Sequence, residues 1–335
     1  MKKINTLKIL VLLFASFLVL NLNSVNNLIA ESQIENPIDF SSSSIQIESD
    51  QDFIDLDFPG SGTESDPYVI ENYQIVGDGI NSGIEISNTT KHFLIKNCTI
   101  KYGLNGMFIE DVAPGTAQIL ENNITKNGKM GIWIESTIEA HIAKNEFIEN
   151  FITGIRLENC SGCTIEENIC KDHTGDGILF ANSEALLITK NIFIDNVNYG
   201  IKSWVSSENT ICYNYIADQK DFGVYLDGKS DNNSVHHNDF CDNFLRGDRI
   251  SQGCSLGENN IWYDTELSEG NYWNDYIGKG EYSIAGEEHC CDPFPLGEVV
   301  SGLVPEESEE TSFLSITGLL ILLGLVSIAV YRKRM

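Results

Sequence analysis

The sequence predicts an all-β fold: a solenoid of stacked coils, about 23 residues each, wound as a single-stranded parallel β-helix. Three observations predict it. First, a phrase returns: Gly131-Ile132-Trp133-Ile134-Glu135, Ile142 and Asn145 recur as Gly154-Ile155-Arg156-Leu157-Glu158, Ile165 and Asn168, 23 residues on. Second, its glycine recurs at Gly83, Gly106, Gly131, Gly154, Gly177, Gly200 and Gly223, in steps of 23, 25, 23, 23, 23 and 23. Third, its asparagine recurs at Asn97, Asn122, Asn145, Asn168, Asn191, Asn214 and Asn238, with Ile95, Ile119, Ile142, Ile165, Ile188, Ile211 or Val235 just before it.

Each unit alternates apolar and variable residues, as in Gly-Ile-Glu-Ile from Gly83, Gly-Met-Phe-Ile from Gly106 and Gly-Val-Tyr-Leu from Gly223. A period of two marks a strand with one buried face. No unit holds a helical apolar pattern of useful length. A single coil cannot bury its apolar side alone, and stacking buries it continuously. The glycine is expected at the turn before the first strand, where φ is positive or backbones approach closely. The asparagine is expected in a tight turn after the second strand, since Asn tolerates the left-handed region. Stacked asparagines would form a ladder whose amides satisfy one another from coil to coil.

Residues 1–30 read as a secretory signal: Lys2, Lys3 and Lys8 lead into the apolar run Ile9 to Leu20, and Ala30 offers a small residue for cleavage. Residues 31–57 are polar, a linker or N-terminal cap, and residues 58–296 hold the β-helix and its closing segment. Tyr272, Trp273 and Tyr276 suit a lid over the last coil, whose strand edges are otherwise open. Residues 297–312 read as an acidic stalk, and residues 313–331 are 19 uncharged positions. At about 1.5 Å per residue that stretch nearly spans a hydrocarbon core of about 30 Å, one C-terminal transmembrane helix. Arg332, Lys333 and Arg334 then mark residues 332–335 as a cytoplasmic tail, with the β-helix outside. The expected topology is a single-pass protein of the cell membrane.

The repeats resemble the right-handed parallel β-helix family that includes NosD-type and carbohydrate-binding or sugar-hydrolase domains, over roughly Pro59 to Leu296. Gly60-Ser61-Gly62-Thr63-Glu64-Ser65-Asp66-Pro67-Tyr68-Val69-Ile70 resembles the opening of such domains. Gly270-Asn271-Tyr272-Trp273-Asn274-Asp275-Tyr276, with Asp292-Pro293-Phe294-Pro295-Leu296, resembles their close. Many relatives carry a calcium-loop-like stretch between those two closing pieces. Here Ile277 to Glu287 holds only Glu281 and Glu287 as carboxylates, which departs from that pattern. Copper is implied by the NosD resemblance, but no His/Met/Cys cluster stands out in the sequence to support it. His236 and His237 are adjacent and, on a regular strand, would point to opposite faces.

All 49 acidic residues lie between Glu31 and Glu310, with 15 of the 21 basic ones, so that span carries 15 − 49 = −34. Such a field repels nucleic acid and anionic lipid headgroups. Nine cysteines and an exported chain permit disulfides. Cys160 and Cys163 form a lone C-x-x-C in a turn, a weak redox or zinc signal. Cys170 aligns with Ile124, Phe147 and Phe193 and is expected to be a buried, inert thiol. His289-Cys290-Cys291-Asp292 reads as a disulfide position before a metal site. Of the sequons, Asn97 is expected to be unmodified because it lies in the ladder.

Function would sit on the outward positions of the first strands. One row reads Glu85, Phe108, Trp133, Arg156, Leu179, Lys202, Tyr225, and the next Ser87, Glu110, Glu135, Glu158, Ala181, Trp204, Asp227. Neighbours in a row would be about 4.8 Å apart. Phe108, Trp133 and Tyr225 offer apolar faces for sugars, and Arg156 and Lys202 offer cations for hydroxyl or acid groups. Glu110, Glu135 and Glu158 would repel one another, raising at least one pKa unless a cation such as calcium is held. Glu135 and Glu158, with Asp176 nearby, are the candidate catalytic carboxylates of a polysaccharide hydrolase or lyase. The acid-and-histidine or lysine/arginine blocks usual in such enzymes are missing. The expected role is therefore glycan binding or adhesion rather than catalysis, with a ligand-free surface-layer component as the remaining alternative.

Overall fold

The computed structural model describes residues 44–244, 251–286 and 290–303. The signal segment, the apolar segment 313–331, the tail and residues 304–312 of the stalk lie outside them. Among the described residues no helix is long and apolar enough to cross a membrane.

Three parallel sheets run the length of a right-handed solenoid. The first has ten strands, from Ile45–Ile47 to Ala285–Gly286; the second has eight, from Tyr68–Glu71 to Ser234–His236; the third has nine, from Gln74–Val76 to Tyr272–Trp273. Each regular coil gives one strand to each sheet. Register follows the repeat: Trp133 pairs with Arg156, Ile142 with Ile165 and Phe147 with Cys170. Ile132, Ile134, Ile142 and Phe147 of one coil are completely buried, as are their counterparts above and below. Cys170 is buried among them, and burial pushes its thiol far up.

The recurring glycines are there for closeness, not for positive φ. A Cβ on Gly131 would lie 2.6 Å from the Gly154 carbonyl oxygen and 2.6 Å from the Phe147 ring. The left-handed residue of the second turn is not the ladder asparagine but the residue before it: Lys144 (φ 58°), Glu167 (55°), Lys190 (55°), Tyr213 (57°) and His237 (54°). That bend swings the next side chain inward. The Asn168 side chain then accepts from the Asn145 peptide N–H (2.9 Å) and donates to the Ile142 carbonyl (2.8 Å) and to Asn191 Oδ1 (3.0 Å). The ladder runs from Asn122 through Asn145, Asn168, Asn191, Asn214 and Asn238 to Asn271.

Asn97 is a correction. It is exposed, occupies the left-handed slot (φ 52°) and pairs on the surface with Asn72 (2.5 Å). Cys98 holds the ladder position, its peptide N–H donating to Asn122 Oδ1. The ladder therefore gives no shelter to the Asn97 sequon. A second ladder, five residues further along each coil, runs through Asn127, Asn150, His173, Asn196, Gln219 and Asn243. His173 takes its rung by accepting at Nδ1, and burial pushes its pKa down to about 4. It is thus a neutral core residue.

Both ends of the stack are closed. Helix α1 (Asp50–Asp55) lays the buried Phe53 over the first coil, its ring 4.7 Å from Tyr68. At the far end Phe240, Trp273 and Tyr282 stack at 4.1 Å intervals, with Trp262 beside them. Of the expected lid residues Trp273 is buried, whereas Tyr272 and Tyr276 are only partly so. The stalk reading began at residue 297, yet Val300 and Ser301 are docked, their peptide N–H groups donating to the buried Asp239 carboxylate at 2.8 and 2.9 Å. No cysteine is in a disulfide. The expected bridge at Cys290-Cys291 is absent, and the Cys291 thiol donates to Glu281 instead (3.3 Å).

Candidate functional site

The first sheet positions the outward rows. Backbone pairing sets Glu85, Phe108, Trp133, Arg156, Leu179, Lys202 and Tyr225 one above another. All seven are half-buried, because each is flanked by its neighbours while its open side faces solvent. The side chains touch. Phe108 and Trp133 have ring centres 5.0 Å apart, and the Arg156 guanidinium lies 5.2 Å above the Trp133 ring. The Trp133 indole N–H has no acceptor among the described residues. Further along, Lys202 lies over both Tyr199 (5.2 Å) and Trp204 (5.4 Å), and Tyr199 stacks on Tyr225 at 4.8 Å.

Tyr199 is absent from the rows read from the sequence, because it precedes Gly200 and falls outside the alternating stretch. Burial, then Asp221 and Tyr225, push its phenol up to about 12. Asp176, also just before a repeat glycine, is nearly buried and accepts the Tyr199 peptide N–H (3.3 Å). Burial raises its pKa, and Lys202 works in the opposite direction.

The carboxylate row is also in register, Glu110 with Glu135 and Glu135 with Glu158. Arg156 engages Glu158 through Nη2 at 2.6 Å and Nε at 3.2 Å. Desolvation, with the charges of Glu158 and Glu110, raises the Glu135 pKa. A folded-state pKa above the unfolded one means stability that is full below the carboxylate range and lost as pH rises through the folded value. Glu135→Gln should therefore stabilise the protein slightly at pH 7, by at most about 0.5 kcal/mol, because water screens a like-charged cross-strand pair at this partly exposed position. Denaturant midpoints at pH 7 and pH 3.5 check this; the gain should vanish at the lower pH. A shallow groove lined by Asn88, Thr89, Thr90, Asp111, Val112, Ala113 and Ser136 opens beside this row.

For a metal, the carboxylates Glu110, Glu135 and Glu158 are not the best-gathered set. Among the described residues, the group that brings three ligand atoms within 4.8 Å of one another is His236, His237 and Asp264. The sequence reading put the two histidines on opposite faces. The structure corrects this: His237 has φ 54°, alternation breaks there, and the two Nδ1 atoms are 2.8 Å apart. Asp264 could not be linked to them from sequence, since it sits in the closing loop outside the repeat.

No curated protein sequence matches this chain. Similar solved structures include the A-module of the Azotobacter vinelandii mannuronan C-5 epimerase AlgE6 (15% identity, covering 68% of this chain and 71% of that one, TM-score 0.40). The periplasmic alginate epimerase AlgG (14%, 71% and 75%, TM-score 0.37) and the Dettilon tailspike protein (15%, 58% and 55%, TM-score 0.44) are also similar. Residues 63–278, well over half of the chain, match a family model that covers the whole regular part of the solenoid. The chain belongs to that family, described as periplasmic copper-binding protein NosD.

Proposed function

We propose that the outward face of the first sheet binds an extended polysaccharide, and that the protein presents this face at the cell surface. One observation carries the reading: a row in one register in which the aromatics Phe108 and Trp133 are followed by Arg156, Leu179, Lys202 and the aromatic Tyr225, on a span whose net charge is −34. Rings packed by their neighbours offer apolar surface to sugars with little entropy left to lose. Cations already seated over Trp133 and Tyr199 keep donors at the same surface. Sites about 4.8 Å apart repeat along the axis, so a polymer with a regular repeat meets several equivalent contacts. The location rests on residues 1–30 and 313–331, read above as signal and span.

Glycan-array binding of the wild type against Trp133→Ala tests it. The variant should lose at least about tenfold in affinity, about 1.4 kcal/mol. Equal binding by both, or none by either, removes the proposal. A second reading, cleavage of the bound chain, is favoured by the contrast between Glu135, whose pKa is raised, and Glu158, which is paired with the Arg156 guanidinium. Carboxylates in unlike environments suit an acid and a nucleophile. Reducing-sugar release that is abolished by Glu135→Gln would establish it, and no release across neutral and anionic polysaccharides would dismiss it.

A further inference from the structure

We propose that Asn88, Asn159 and Asn232 are N-glycosylated, so that one edge of the solenoid carries a glycan at every third coil. The proposal rests on the export read from residues 1–30, since the modification belongs to exported chains. It does not depend on what the row of aromatics binds.

Five Asn-x-Ser/Thr sequons stand in the sequence, at Asn88, Asn97, Asn123, Asn159 and Asn232. In a chain so rich in asparagine the motif alone says little, and the fold is what sorts the five. Asn88, Asn159 and Asn232 lie in the corner between the first and second sheets. Asn88 follows the strand Ile84–Ser87, Asn159 follows Thr153–Glu158, and Asn232 precedes Ser234–His236. All three are exposed and left-handed, with φ of 52°, 54° and 55°. The bend that turns the next side chain inward leaves theirs pointing out. Thr89, Cys160 and Asn233, the middle residues of the three motifs, are buried and fix the corner in place.

The amide nitrogen is the group that has to be free. In N-glycosylation Nδ2 forms a bond to C1 of a sugar carried on a lipid-linked phosphate. The bond from C1 to the phosphate oxygen breaks, the lipid phosphate leaves, and the amide gives one proton to a base of the transferase. Among the described residues the Asn159 and Asn232 side chains have no hydrogen-bond partner. Asn88 Nδ2 reaches only the adjacent Ser87 Oγ, at 3.2 Å. The other two sequons differ. Asn123 is half-buried on the strand Asn123–Thr125, and its Nδ2 donates to Glu146 Oε2 at 3.0 Å. Asn97 lies at the corner between the second and third sheets, and its Nδ2 is held by Asn72 Oδ1 at 2.5 Å.

The spacing is regular. Ser87 pairs with Glu110, Glu110 with Glu135 and Glu135 with Glu158. Asn88 and Asn159, each one residue further on, are therefore three coils and about 14 Å apart along the axis, at about 4.8 Å per coil. Asn159 and Asn232 are again three coils apart, since Ser161 pairs with Glu184, Glu184 with Ser207, and the Glu208 peptide N–H donates to the Asp231 carbonyl. Glycans at Asn88 and Asn159 would border the carboxylate row. The opposite border of the first sheet, where Phe151 and Val197 are exposed, stays open as the approach to the aromatics.

The test recovers the full chain from fractionated cells that encode it and sequences its glycopeptides by mass spectrometry. Peptides holding Asn88, Asn159 and Asn232 should each carry one glycan, read as a shared added mass with sugar fragment ions, and those holding Asn97 and Asn123 should be bare. Ser161→Ala keeps Asn159 in its corner and should lose that glycan alone, while Ser161→Thr should retain it. Ser234→Ala should do the same at Asn232 and keeps the test decisive if a Ser161 variant fails to fold. Fractionation separates the two ways to fail. A chain at the cell surface with bare Asn159 and Asn232 overturns the glycosylation and leaves export standing; a bare chain found inside the cell overturns both. Glycan on Asn123 at the occupancy of Asn159 overturns the assignment by geometry.

Discussion

Asn168→Ala should destabilise the protein by about 3–5 kcal/mol, although it removes only a small polar side chain. Asn168 Oδ1 accepts the Asn145 peptide N–H at 2.9 Å, and its Nδ2 donates to the carbonyls of Ile142 at 2.8 Å and Glu166 at 3.0 Å. The residue is fully buried, so water cannot replace it. Alanine leaves at least two of these groups unpaired, each costing about 1–3 kcal/mol. Guanidinium unfolding reads the loss as a lower midpoint at unchanged slope. Asn97→Ala is the control: exposed and outside the ladder, it should cost only about 1 kcal/mol, the scale of putting alanine in the left-handed slot. Equal effects at the two positions would refute the ladder.

Gly131→Val should cost a comparable amount, about 3 kcal/mol or more, through overpacking rather than lost hydrogen bonds. The new Cβ would meet the Gly154 carbonyl oxygen and Phe147 Cδ1, both at 2.6 Å, and the Asn150 amide at 2.9 Å. Backbone on one side and core on the other leave little room to relax. Because the same contact recurs between Gly154 and Gly177, and between Gly177 and Gly200, the displaced coil cannot shift without disturbing the next. A thermal melt comparing Gly131→Val with Gly79→Val separates causes. Gly79 has open space around it but a positive φ of 77°, so its loss should reflect backbone strain alone and be smaller. A larger loss at Gly79 would contradict the packing account.

The stacking was legible because it depends on counting. An alternating stretch names its inward residues, and a fixed interval names their vertical neighbours. The miscount at Asn97 has a visible cause. In other coils the ladder residue stands three places after the isoleucine or valine, as in Ile142 and Asn145, but Asn97 is only two after Ile95. Cys98 stands at three, and a cysteine does not look like a rung. The second ladder hid for a similar reason, since its rungs are Asn, His and Gln in turn and share a geometry rather than a letter.

The histidine pair was misread on physical grounds. Strict alternation assumes extended backbone, and His237 sits in the left-handed slot that every coil uses to turn its corner. Tyr199 and Asp176 were missed or loosely placed because they lie one step before the repeat glycine, where the strand pattern stops informing. Asp264 comes from the closing loop, where no period exists to read.

Because the rungs satisfy themselves between neighbours and only the end coils meet the aromatic lids, the middle of the molecule is interchangeable in units. Duplicating one 23-residue segment in the genetic material would insert a whole storey, lengthening the outward face by about 4.8 Å without asking anything new of either lid. Descendants of such a chain can be tailored to longer or shorter polymers by copying, a route to variation that needs no fresh invention of fold.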